Sequence, residues 1–142
     1  MARAKKLFTR TPHQDPYQRA RAAFAVAHMS NAKWRKVLRA IATTDLGLTR
    51  SEWKCIDSDH VLVHAIPRLA DILENRFADG QFQPFEYKWI EWVRFPRSYR
   101  PHCGEVYEVR QDVEGLKHLL QACGKLRLIF DEAGLTLFAY ER

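Results

Sequence analysis

A chain of 142 residues, 46% of them hydrophobic, is long enough for one domain with a real core and too apolar to be disordered. Of its 23 basic and 17 acidic residues, six basic and one acidic fall within residues 1–28, which leaves 17 against 16 for residues 29–142. The body is therefore near neutral, which argues against a nucleic-acid binder carrying its charge as a patch on the domain, and no apolar run approaches the roughly 20 residues of a membrane span.

The leader MARAKKLFTRTPHQD is polar and basic and has no periodicity. No apolar segment follows Arg3, Lys5 and Lys6, so a secretory signal is not expected and cytoplasmic residence is. Asp15-Pro16 suits the start of a short alanine-rich helix over residues 17–28. Residues 1–28 are expected to form a flexible basic extension, and Met29-Ser30-Asn31 looks like the natural start of a domain over residues 29–142. The competing reading is a basic arm that touches nucleic acid or an acidic partner. Cys55, Cys103 and Cys123 are odd in number and widely spaced, as reduced thiols are.

Ser30 or Asn31 can cap a helix through NAKWRKVLRAIATTD, with Trp34, Val37, Leu38 and Ile41 on one apolar face. Arg35 and Arg39 share its other side with Lys33 and Lys36, as a solvated face or as a docking patch. SEWKCI and HVLVHAI, on either side of Asp57-Ser58-Asp59, read as a hairpin, with a helix as the alternative because periodicity cannot settle so short an apolar run. PRLADILENRFAD reads as a helix with Leu69, Ile72, Leu73 and Phe77 inward.

Phe85 to Phe95, FEYKWIEWVRF, is the strongest strand signal. With period two, Phe85, Tyr87, Trp89, Glu91, Val93 and Phe95 share the core face, opposite Glu86, Lys88, Ile90, Trp92 and Arg94. Pro96 ends the strand. Glu91 is the anomaly, because a carboxylate among aromatics needs a partner. Arg97, Tyr99, Arg100, His102 and Cys103 then fall in one loop between two prolines, where function concentrates. EVYEVR reads as a strand, Asp112 caps the helix VEGLKHLLQAC, and KLRLIF and LTLFAY form a terminal hairpin.

Chemistry is sparsely encoded. His60 and His64 would share a metal only on a helix; on a strand the same spacing sets them about 13 Å apart. Cys103 beside His102 lacks an oxyanion or elbow signature. Glu91 with Glu86, Glu105 or Glu108 would make an acid–base pair, against the simpler reading of a Glu91 tied to Arg94, Arg110 or a tyrosine. Tyr87, Trp89, Trp92 and Tyr99 interleave with Lys88, Arg94, Arg97 and Arg100 as a single-strand platform does, but they also alternate as a sheet core must.

Asn31, Lys33 and Trp34 in the first helix and Ile90, Glu91 and Trp92 in the strand resemble a family of small uncharacterised bacterial proteins with an N-x-K-W helix and an I-E-W strand. That family brings no activity to transfer. By analogy of size and style, such small α+β domains look like the immunity proteins encoded beside bacterial toxins. The sequence thus predicts one α+β domain, a mainly antiparallel sheet packed with about three helices. Its expected function is protein binding without enzymatic activity, metal or cofactor: occlusion of a cognate toxin through Arg97, Tyr99, Arg100 and His102, with Arg35 and Arg39 as a second patch. A nucleic-acid role for the leader and an enzyme built on Glu91 are the alternatives.

Overall fold

The structure is a computed structural model and describes residues 15–77, 85–101 and 106–142. It is an α+β fold whose main sheet is antiparallel throughout. In chain order the described elements are α1 (Pro16–Arg21), β1 (Val26–Ala27), α2 (Asn31–Thr43), β2 (Ser51–Cys55) and β3 (Val61–His64). A 3₁₀ turn at Leu69–Asp71 leads to β4 (Arg76–Phe77). Next come β5 (Phe85–Glu86), a second 3₁₀ turn at Tyr87–Trp89, β6 (Ile90–Pro96), β7 (Ser98–Tyr99) and β8 (Val109–Arg110). The chain ends with α3 (Val113–Gln121), β9 (Arg127–Phe130), β10 (Gly134–Phe138) and β11 (Tyr140–Glu141).

The main sheet has the order β3-β2-β6-β10-β9, so β6 is its central strand. Helix α2 starts where its cap dictates: Ser30 Oγ accepts from Lys33 N at 3.1 Å, and Trp34, Val37, Leu38 and Ile41 are all buried. Helix α3 starts at Asp112, whose carboxylate accepts from Gly115 N at 2.8 Å. Both helices cover one face of the sheet. Trp34 lies 6.3 Å from Trp53 of β2, and α3 packs on β10 next to buried Leu135 and Leu137.

The FEYKWIEWVRF segment is not one continuous strand. The turn at Tyr87–Trp89 breaks it, and a bulge follows. Lys54 pairs with Trp92 but Cys55 pairs with Ile90, so Glu91 is the extra residue on β6. The bulge resets the alternation, so Tyr87, Ile90, Val93 and Phe95 are buried while Trp89 and Glu91 are not, contrary to the period-two expectation. The side chain of Phe85 lies outside the described residues. Turned out of the aromatic face, the Glu91 carboxylate meets Lys54 Nζ at 2.5 Å, rather than Arg94, Arg110 or a tyrosine.

The expected helix over residues 67–79 is also absent among the described residues. Asp71 is buried and accepts from Arg68 N and Nε, each at 3.3 Å, which caps the start of a 3₁₀ turn only three residues long. Leu73 N then donates to Arg76 O at 2.9 Å, reversing the chain so that Phe77 enters the core 5.4 Å from Trp53. Leu69 and Leu73, expected inward, are exposed. Of EVYEVR only Val109–Arg110 is strand; Glu105 lies outside the described residues, and Val106 and Tyr107 are exposed.

The packed body begins before Met29. Asp15 caps α1 through Gln18 N at 2.8 Å, the helix stops at Arg21, and β1 pairs antiparallel with β11. Phe24 is 5% exposed, 5.7 Å from the Tyr140 ring, and Tyr17 sets its ring edge-on to Trp89 at 5.5 Å. The extension expected over residues 1–28 is therefore built into the fold from Pro16 onward, and residues 1–14 lie outside the described residues. No described helix is long and apolar enough to cross a membrane.

Candidate protein-binding face

The helices cover one face of the sheet, and registry fixes what stands on the other. Glu52 and Lys54 alternate with Trp53 on β2, Trp92 and Arg94 with Val93 on β6, and Thr136 and Phe138 with Leu137 on β10. Two rows therefore cross the outer face: Val63, Glu52, Arg94, Thr136 and Ile129 in one, and Val61, Lys54, Trp92, Phe138 and Arg127 in the other. Val61, Val63 and Ile129 are 42%, 50% and 38% exposed.

Between these aliphatics runs a strip of paired charge. Glu52, 9% exposed, receives Arg94 on Oε1 (Nε 2.8 Å, Nη2 2.7 Å) and Arg50 on Oε2 (Nε 3.2 Å, Nη2 3.1 Å). A carboxylate so nearly covered needs both guanidiniums, since an unpaired charge there would cost several kcal/mol, on the order of 3–5. Each guanidinium also stacks on an aromatic ring: Arg94 on Trp92 at 5.0 Å and Arg50 on Tyr99 at 4.8 Å. Tyr99–Arg50–Glu52–Arg94–Trp92 is thus one contiguous, prearranged strip. Gln111 fastens its Arg50 end. Its Oε1 accepts from Thr49 N (2.7 Å) and Arg50 N (2.9 Å), and its Nε2 donates to Arg50 O (3.1 Å) and Pro96 O (2.9 Å).

Of the six residues expected to bind a partner, the five that are described are dispersed over this architecture. Tyr99 belongs to the strip, and its hydroxyl lies 2.6 Å from Thr49 Oγ1. Arg97 is a fastener: it meets Glu114 Oε2 at 2.5 Å, donates to Asp131 O at 2.9 Å and lies over the Phe130 ring. That hydrogen bond holds the Glu114 carboxyl below its ordinary value. Arg100 is exposed, and His102, like Cys103, lies outside the described residues. Arg35 donates to Glu74 O at 2.5 Å, away from the loop, and Arg39 is exposed one turn on. His64 ends β3, so the helical spacing that would align it with His60 does not apply.

Sequence reasoning missed Glu52, Arg50 and Gln111, and weighed Arg94 only as a partner for Glu91 or as part of a stacking platform. The signal was present in part, because EWK and WVR each alternate charged residues about an aromatic or aliphatic one. Nothing local states that Glu52 and Arg94 are cross-strand neighbours. The chain matches no family model, no curated protein and no solved structure.

Proposed function

We propose that this chain is a protein-binding module of the immunity type, which takes a toxin domain onto the open face of its sheet and occludes it. The observation that carries the reading is the stacked strip Tyr99–Arg50–Glu52–Arg94–Trp92 set among Val61, Val63 and Ile129. Energetic hot spots in interfaces favour Trp, Tyr and Arg, and side chains already held in place lose little entropy on docking. The complementary partner surface has carboxylates along its middle to reach the remaining guanidinium N–H groups, and apolar side chains at its flanks to meet the valines and Ile129. Occlusion needs no chemistry from this chain, and Glu91, pinned by Lys54, serves the sheet.

The test is protection. Val63→Asp combined with Trp92→Ala alters two side chains on the open face and leaves the helix-covered core untouched. In cells expressing the cognate toxin, the wild-type chain should restore growth and the double variant should not, while both unfold at similar temperatures. A folded double variant that protects as well as the wild type would exclude this face.

A further inference from the structure

A separate cavity of about 180 Å³ lies where α1, the start of α2 and the 3₁₀ turn before β6 meet. Its floor is buried and largely aromatic, made by Trp34, Tyr87 and Tyr140 with Ala139. Its rim is cationic: Lys88 is exposed, Arg21 is half-buried, and no acidic side chain lines the cavity among the described residues. Lys88 Nζ sits 4.4 Å from the centroid of the Tyr17 ring, and Arg21 lies over Tyr140 at 5.1 Å while donating to Phe24 O. Neither cation has a carboxylate partner among the described residues.

We propose that this cavity binds a small monocarboxylate with a flat apolar body, the size of a benzoate, with ring inward and carboxylate at the rim. The volume matches the class, because a protein cavity of roughly 150 Å³ accommodates a benzene ring. The hydroxyls divide the work. Tyr140 donates to Lys88 O at 2.7 Å, so Tyr17, 3.0 Å away, donates to Tyr140, and neither proton is left for the ligand. Burial, and then the Tyr17 hydroxyl, push Tyr140 well above its ordinary value, so it stays neutral beside the anion. The carboxylate is therefore met by the Lys88 ammonium, the free guanidinium N–H groups of Arg21 and the amide of Asn31 at the first position of α2. This site is independent of the binding face, and either assignment stands if the other fails.

Titrating the full chain with benzoate, followed through the indole N–H resonance of Trp34, should give a saturable shift. Benzyl alcohol, which keeps the ring and loses the charge, should bind more weakly, by up to about fivefold for each exposed charge pair it forgoes. Lys88→Gln should weaken benzoate by a similar factor and Lys88→Arg should recover it. The absence of a saturable shift would overturn the proposal. So would benzyl alcohol binding as tightly as benzoate to the wild type, a comparison that needs no variant.

Discussion

Phe24→Ala decides whether the leader is part of the body. If residues 16–28 were loosely attached, removing this ring would cost nothing measurable. In the structure Phe24 is 5% exposed, faces the Tyr140 ring at 5.7 Å and is covered by the Arg142 guanidinium at 4.8 Å. Truncating a buried Phe to Ala costs about 3–5 kcal/mol through lost transfer energy and the cavity left behind. Phe24 lies at the margin of the core under a flexible side chain that can settle into the gap, so the low end applies, about 3 kcal/mol. With a urea slope of about 2 kcal/mol/M, the unfolding midpoint should fall by about 1.5 M. Tryptophan fluorescence is a fitting probe, because Trp89 contacts Tyr17 of the same segment. Val63→Thr, on the open face, is the control and should move stability by no more than about 0.5 kcal/mol. A Phe24→Ala midpoint within the error of the control would refute the packing of the N-terminal segment and restore the boundary at Met29.

Gln111→Ala removes four hydrogen bonds at once and should destabilise by about 2–4 kcal/mol in the same urea assay, with Arg50 losing its anchored backbone; a change under about 1 kcal/mol would mean water replaces the clamp. Gly134→Ala should cost at least about 2 kcal/mol, because φ is +147° and a Cβ there would strike the backbone oxygen of Phe95; an unchanged melting curve would contradict this β6–β10 register. The hydrogen bond from Arg127, and then that from His28, hold the Glu141 carboxyl below its ordinary 4.5. The unfolded chain therefore binds more protons near that pH, so the stabilisation is complete above it and is lost as pH falls through the folded-state value. Glu141→Gln should flatten the fall in urea midpoint between pH 5 and pH 3, and an equally steep fall would remove Glu141 as its source. Burial, followed by Asp57, pushes the Cys55 thiol up to about 11 from 9.0. At pH 8.5 its folded-state alkylation, followed on the Cys55 peptide, should run about 100-fold slower than in urea, and equal rates would show the thiol to be open.

Legibility followed the range of the interactions. Capped helices were readable because cap and apolar stripe are local: Ser30 with Trp34, Val37, Leu38 and Ile41, and Asp112 with Val113, Leu116 and Leu120. The two hairpins were readable for the same reason. The segment from Pro67 was misleading because Leu69, Ile72, Leu73 and Phe77 satisfy a helical period by coincidence. What prevails there is non-local, the place for Phe77 beneath Trp53 and the hydrogen bond of the Tyr87 hydroxyl to Leu73 O at 2.7 Å. Tyr99 was legible as a surface aromatic, but its partner Arg50 lies 49 positions away, and no periodicity connects them. The loop arginines looked interchangeable in sequence. Arg97 proved to be a fastener, because its partners Glu114 and Asp131 O arrive from α3 and the turn after β9.

The bulge at Glu91 is where scaffold and surface are settled together. Without the extra residue, strict alternation from Val93 would turn Glu91 inward and Ile90 outward, placing a carboxylate in the core. With it, Ile90 stays buried, Trp92 stands on the open face beneath Arg94, and Glu91 reaches Lys54. The same residue also serves the cavity side. Its carbonyl accepts from Ala139 N at 2.7 Å, which holds the chain at a cavity-floor residue between β10 and β11. One irregularity in the central strand thus sets both the aromatic on the outer face of the sheet and the backbone that closes the floor of the cavity. The anomalous carboxylate of the alternating strand is thus the bulge residue itself, tied by its side chain to Lys54 and by its carbonyl to Ala139 N.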